Sequence, residues 1–126
     1  MSYRPAQCNI GRRGRWRRAA FAAVSALVAA AFVGAYLVGA IPRLLLIGVF
    51  APLAVAIEFA VQAYESFCVS LALLGRYDFR GEDGESERGR VTDPANRRDD
   101  QLYALRISVV SVTLAAVVTA VLFVVL

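Results

Sequence analysis

Apolar and polar positions segregate along this chain in blocks of tens of residues. Ala19 to Ala40 is one apolar run, Leu44 to Ala63 a second and Leu102 to Leu126 a third. At about 1.5 Å per residue, a helix over any of them covers the roughly 30 Å hydrocarbon layer of a bilayer. A backbone in lipid must satisfy its own hydrogen bonds, so helix is the expected form. The pattern predicts an all-α integral membrane protein. TM1 (19–40) and TM2 (44–63) form an antiparallel helical hairpin turning at Ile41-Pro42-Arg43, and TM3 (102–126) is a third, C-terminal transmembrane helix. Pro42 suits the first turn of the second helix, where no amide partner is lost. Pro52 lies inside TM2 and predicts a kink or a loosened turn.

The polar blocks divide the rest. Residues 1–18 are a basic leader, and 64–75 continue TM2 to the interface with Gly75 as a stop. Residues 76–101 are a linker dense in charge, Gly and turn formers, for which loose structure is expected. Within it, Thr92-Asp93-Pro94 predicts the cap of a short helix from Ala95. The first apolar run exceeds the 7–15-residue core of a cleaved signal peptide, so a retained span is predicted. Ala31, Ala35 and Gly39 recur every four positions, a spacing that lets a second helix approach closely or that reflects an Ala-rich composition.

Composition agrees with the pattern. Hydrophobic residues make up 59% of the chain, against roughly 45–50% in soluble domains. That excess excludes an ordinary cytosolic enzyme, a disulfide-rich secreted domain and a disordered chain. All 14 basic residues are arginine. Positions 4, 12, 13, 15, 17 and 18 carry them with no acid nearby, and more fall between Arg76 and Arg98. The positive-inside rule then predicts a multi-pass protein of a prokaryotic plasma membrane, with a cytoplasmic N-terminus and the C-terminal end outside. The basic leader is expected to meet anionic lipid headgroups, not nucleic acid.

A few polar residues require an account. Glu58, Gln62 and Glu65 fall on one stripe of TM2. Glu58 lies deep in the hydrocarbon, where an ionised carboxylate costs at least ~2.5 kcal/mol. It is either a proton or ligand site or a neutral side chain joining helices. With the turn centred near residue 41, Glu65 falls opposite Arg17 or Arg18, and Cys68 falls near Gly14. An Arg–Glu pair is therefore expected at the hairpin mouth. Cys8 and Cys68 both fall on the cytoplasmic, reducing side, so no disulfide is expected. With no His and no CxxC motif, no metal and no cofactor is expected. Cys68 is either a reactive thiol near arginines or a small buried residue.

Two short motifs carry a resemblance. Cys8-Asn9-Ile10-Gly11 with Arg15 and Arg18, and Ser66-Phe67-Cys68-Val69-Ser70-Leu71-Ala72-Leu73-Leu74-Gly75, resemble the two motifs of the small YgaP-type membrane domains. The first reads Asn-Val-Gly-x-x-Asp-Arg-x-x-Arg in that family, and the second reads Gly-Phe-Cys-Pro-x-Tyr-x-Leu-Leu-Gly. The resemblance covers residues 8–75 only. Gly14, Ser66 and Val69 depart from it, standing where the family has Asp, Gly and Pro. Members occur alone or fused to rhodaneses, which carry sulfur on a cysteine. The resemblance implies a two-helix membrane hairpin that docks sulfur-handling proteins, with Asn9, Gly11, Arg15, Arg18, Phe67, Cys68 and Gly75 as the positions carried over.

Three functions follow as expectations. The leading one is a non-enzymatic accessory, scaffold or partner-docking subunit that packs against itself, as a homo-oligomer, or against a larger membrane partner. The second is a sulfur-handling or thiol-redox protein using Cys68 with Arg15 and Arg18. The third is a small oligomeric channel or transporter with Glu58 in its path.

Overall fold

The structure, a computed structural model, describes residues 3–79 and 88–126. Among the described residues, three helices are long and apolar enough to cross a membrane. The first, α1 (Arg12–Leu37), starts well before the apolar run. Arginine is a good helix former, so the basic leader supplies the first two turns. Gly11 precedes the helix with no side-chain cap; its N–H donates to the Asp78 carbonyl instead. α1 ends at Gly39, which takes the left-handed conformation at φ +79.

The second apolar run is not one uniform helix. Arg43–Val49 is a 3-10 segment, and α2 (Phe50–Glu65) is α-helical. The change falls just ahead of Pro52. Proline removes one i→i−4 bond and crowds the preceding turn, and here that turn winds tighter. Gly48 lets Phe32 of α1 come close, since a Cβ there would sit 3.1 Å from its ring. Between α1 and α2, Arg15 reaches the Ala63 carbonyl, Arg18 meets Gln62, and the Phe21 and Phe59 rings lie 5.4 Å apart.

The described part of 76–101 is more ordered than its composition predicts. β1 (Arg76–Asp78) and β2 (Arg88–Arg90) pair antiparallel, and Ile10 bridges to Asp78 on the outer side of β1. Residues 80–87 of the expected linker lie outside the described residues. The last helix, α4 (Pro94–Val125), is a single rod of 32 residues, where a short helix and a separate span from Leu102 were expected. Asp93 caps it by accepting from the Ala95 N–H at 2.9 Å. No breaker interrupts 95–102, so the helix nucleated by that cap runs on.

Two cores hold the helices. Ala29, Leu46 and Val49 pack together with Phe32, Leu53 and Leu122 around them. Phe67, Val69, Ala72, Ala104 and Ile107 form the second, capped by the short helix α3 (Val69–Leu73). Along α4 the buried face is Asp100, Ala104, Ile107, Ser111, Ala115 and Thr119, where Ala104, Ser111, Ala115 and Thr119 are small enough to admit close packing.

Candidate functional site

The motif residues meet at the end of the molecule where α1 begins and α2 ends. Ser66 turns left-handed at φ +56 and stops α2. The chain then passes Phe67 and, in extended conformation, Cys68 before α3. The Asn9 side chain clamps this passage from both sides. Its amide donates to the Cys68 carbonyl at 3.1 Å, and its Oδ1 accepts from the Cys68 N–H at 2.6 Å. The Asn9 and Ile10 N–H groups both donate to the Ser66 carbonyl. Asn9 is fully buried, so these bonds are shielded from water. Gly11 is buried beside them. Phe67 is also fully buried and stands edge-on to Tyr103, with ring centroids 4.8 Å apart.

The arginines are fixed by different partners. Arg15 Nε donates to the Ala63 carbonyl at 2.9 Å, satisfying one of the open carbonyls at the end of α2. Arg18 spreads over three acceptors. Nε donates to Gln62 Oε1 at 3.3 Å, Nη1 to the Gly14 carbonyl at 3.1 Å, and Nη2 to Cys68 Sγ at 2.7 Å. A guanidinium has only donors, so the sulfur is the acceptor. Gln62 is buried and also accepts from the Val69 N–H.

This arrangement opens on a cleft of about 380 Å³ lined by Arg13, Arg17, Arg18, Cys68, Ser70 and Asp78. The first turn of α1 carries no acid. Arginines there add positive charge to the positive end of a helix dipole, so the cleft favours an anion. Gly14 forms part of the wall, and a Cβ on it would press on Ile10 at 3.1 Å.

The two cysteines are free, Cys8 half-buried and Cys68 buried. Cys8 Sγ donates to the Ile10 carbonyl at 3.6 Å. Burial pushes its pKa up from 9.0, and Arg4 and Arg15 offset this only in part. Cys8 is therefore a protonated thiol at neutral pH, whereas Cys68 is bonded to a cation.

The other expected residues lie elsewhere. Glu65 does not take the place opposite Arg18. Gln62 does, because it lies one turn back on the face of α2 toward α1. Glu65 bonds the Tyr103 hydroxyl of α4 instead. Glu58 accepts from Ser108 Oγ of α4 at 2.7 Å and is not among the residues lining the cleft. Among the described residues no three His, Cys, Asp or Glu side chains cluster as metal ligands. Asp100 went unnoticed in the sequence. Fully buried at the foot of α4, it accepts from the Tyr3 hydroxyl at 2.6 Å and from the Ala6 N–H at 2.7 Å. Burial first, then Asp100, raises the Tyr3 pKa. Nothing in one acid among the cluster around Arg97–Asp100 distinguishes it by sequence.

No family model matches the chain, and no curated protein or solved structure gives a significant match. The site's chemistry therefore has to be read from its own geometry.

Proposed function

We propose that this chain is a multi-pass protein of a prokaryotic plasma membrane that carries sulfur on Cys68, at an arginine-lined mouth facing the cytoplasm. Three long apolar helices support the membrane reading, as do the exposed Leu27, Val38, Val124 and Val125, which suit lipid and not water. The contacts Arg15–Ala63, Phe21–Phe59 and Phe32–Gly48 climb α1 while descending the second span, which supports an antiparallel hairpin. The arginines at the start of α1 favour placing that end inside and the C-terminal end of α4 outside.

One observation carries the sulfur reading: Arg18 Nη2 lies 2.7 Å from Cys68 Sγ at the edge of the arginine-lined cleft. Arg18 fixes the sulfur at the edge of the cleft by donating to it, and the neighbouring arginines hold an anionic donor beside it. The step is sulfur exchange with a low-molecular-weight persulfide, R–S–SH. The Cys68 thiolate attacks the outer sulfur, a new S–S bond forms at Cys68, and the donor's S–S bond breaks. The electron pair leaves on the donor's inner sulfur as R–S⁻, with no net oxidation. The protein is a carrier and docking subunit for a sulfur-handling partner, in keeping with the resemblance of residues 8–75 to membrane domains joined to rhodaneses.

Mass spectrometry of the Cys8→Ser chain in vesicles, after exposure to glutathione persulfide, tests this. One added sulfur on Cys68 is expected, with less on Arg18→Gln and none on Cys68→Ser. A Cys68 that gains no sulfur while a free thiol in the same sample does would end the reading.

A further inference from the structure

A second basic cleft, of about 400 Å³, lies where β1, β2 and the start of α4 meet. Its lining shares no residue with the Cys68 cleft. Each of the three elements contributes one arginine: Arg76, Arg90 and Arg97.

The register makes this arrangement costly on its own. Arg76 and Arg90 are direct cross-strand partners. Such partners share one face with their Cβ atoms roughly 4.5–5.5 Å apart, and like charges there oppose the pairing. The strands have three residues each, so the sheet has little pairing energy to set against that repulsion. No residue lining the cleft among those described is acidic.

Arg97 is held in place rather than swinging free. Its Nε donates to the Val91 carbonyl at 3.2 Å. Its stem lies on Gly75, where a Cβ would come within 2.8 Å of Cδ and where the backbone is left-handed at φ +67. Only glycine meets both demands. Among the described residues, the two terminal nitrogens of Arg97 are left for another acceptor. An oxyanion among the three guanidinium groups would turn the repulsion into a bridge, and the planar forks of arginine match tetrahedral oxyanions with paired hydrogen bonds.

We propose that Arg76, Arg90 and Arg97 form a phosphate-binding site. Its ligand is a phosphate oxyanion, either free in solution or in the headgroup of an anionic lipid.

The test uses the full chain and follows its thermal unfolding. In neutral detergent, sodium phosphate raises the midpoint above that in sodium chloride of equal ionic strength. Arg90→Glu places opposite charges across the strands. This variant melts higher than wild type without phosphate, and its affinity for phosphate falls roughly tenfold or more. Arg43→Gln, at the far end of the helices, keeps the wild-type response. Vesicles of phosphatidylcholine, with or without phosphatidylglycerol, separate the two sources. Stabilisation by phosphatidylglycerol, lost in Arg90→Glu, assigns the site to lipid. Stabilisation by free phosphate alone assigns it to a soluble ligand. The proposal is overturned if neither anion outdoes chloride, as expected were the chain's own acids already neutralising the pair. It is also overturned if Arg90→Glu keeps the full response.

Discussion

At the end where α1 begins, side chains far apart in sequence join through polar atoms: Asn9 to Cys68, Arg15 to Ala63, Arg18 to Gln62 and Cys68, and Asp100 to Tyr3 and Ala6. At the opposite end, Ala29, Leu46 and Val49 pack with Leu122 and Leu126. The polar contacts there are few. Tyr36 donates to the Leu126 carbonyl, and Arg43 donates to the Phe123 carbonyl while lying over its ring. The contrast bears on how such a chain specifies one arrangement. In lipid, apolar side chains gain little by leaving one hydrocarbon surface for another. Directional polar bonds then decide which segments meet, and here they are concentrated around Cys68.

Removing those bonds should separate the two ends sharply. Asn9→Ala leaves the Cys68 N–H buried without a partner, while the Cys68 carbonyl keeps only the Ala72 N–H, and we expect a loss of about 2–3 kcal/mol in denaturant unfolding. A loss no greater than that of Arg43→Ala would erase the contrast. Asp100→Ala frees the Tyr3 hydroxyl and the Ala6 N–H, and Ala6 sits at φ +54, a strained value for alanine. We expect about 1–3 kcal/mol, read locally as faster hydrogen exchange at the Ala6 N–H. Unchanged exchange would mean that Asp100 does not hold the arm.

Alkali should weaken the same end. Cys8 and Tyr3 are neutral in the fold with pKa values raised from 9.0 and 10.0. A raised folded value means that the unfolded chain loses its proton first. The stabilisation is complete below about pH 9 and is lost as pH climbs through the folded values. Unfolding midpoints measured from neutral pH upward should therefore fall beyond pH 9, and fall less in Tyr3→Phe. The smallest effect is expected at the far end. Arg43→Ala removes an exposed ring contact and an exposed hydrogen bond, and about 0.5–1 kcal/mol should go.

The apolar runs announced three long helices because hydropathy over twenty residues is a strong signal. They could not announce where α1 starts, since residues 12–18 form helix while reading as polar, and although the cap at Asp93 was legible, nothing showed that the helix from it runs unbroken into the third apolar run. The pairing of β1 with β2 was hidden for a similar reason. Three-residue strands carry no usable period, and Arg opposite Arg reads as a solvated run. The candidate site was visible in part. Asn9, Arg18 and Cys68 stood out as motif residues and do converge, while Glu65 was matched to the wrong helix. Gln62 and Glu65 share one stripe of α2, three residues and about 60° apart, so a hairpin register guessed less than one turn off exchanges one for the other.

The most direct measurement is the alkylation rate of Cys68 in membranes of the Cys8→Ser chain, followed against pH and compared with Arg18→Gln and Arg43→Gln. Fast reaction at neutral pH that slows at least several-fold in Arg18→Gln, but not in Arg43→Gln, is the outcome expected from a guanidinium bonded to the sulfur. Equal rates in all three chains would mean that the Arg18–Cys68 contact has no chemical consequence, and the sulfur site would fall with it.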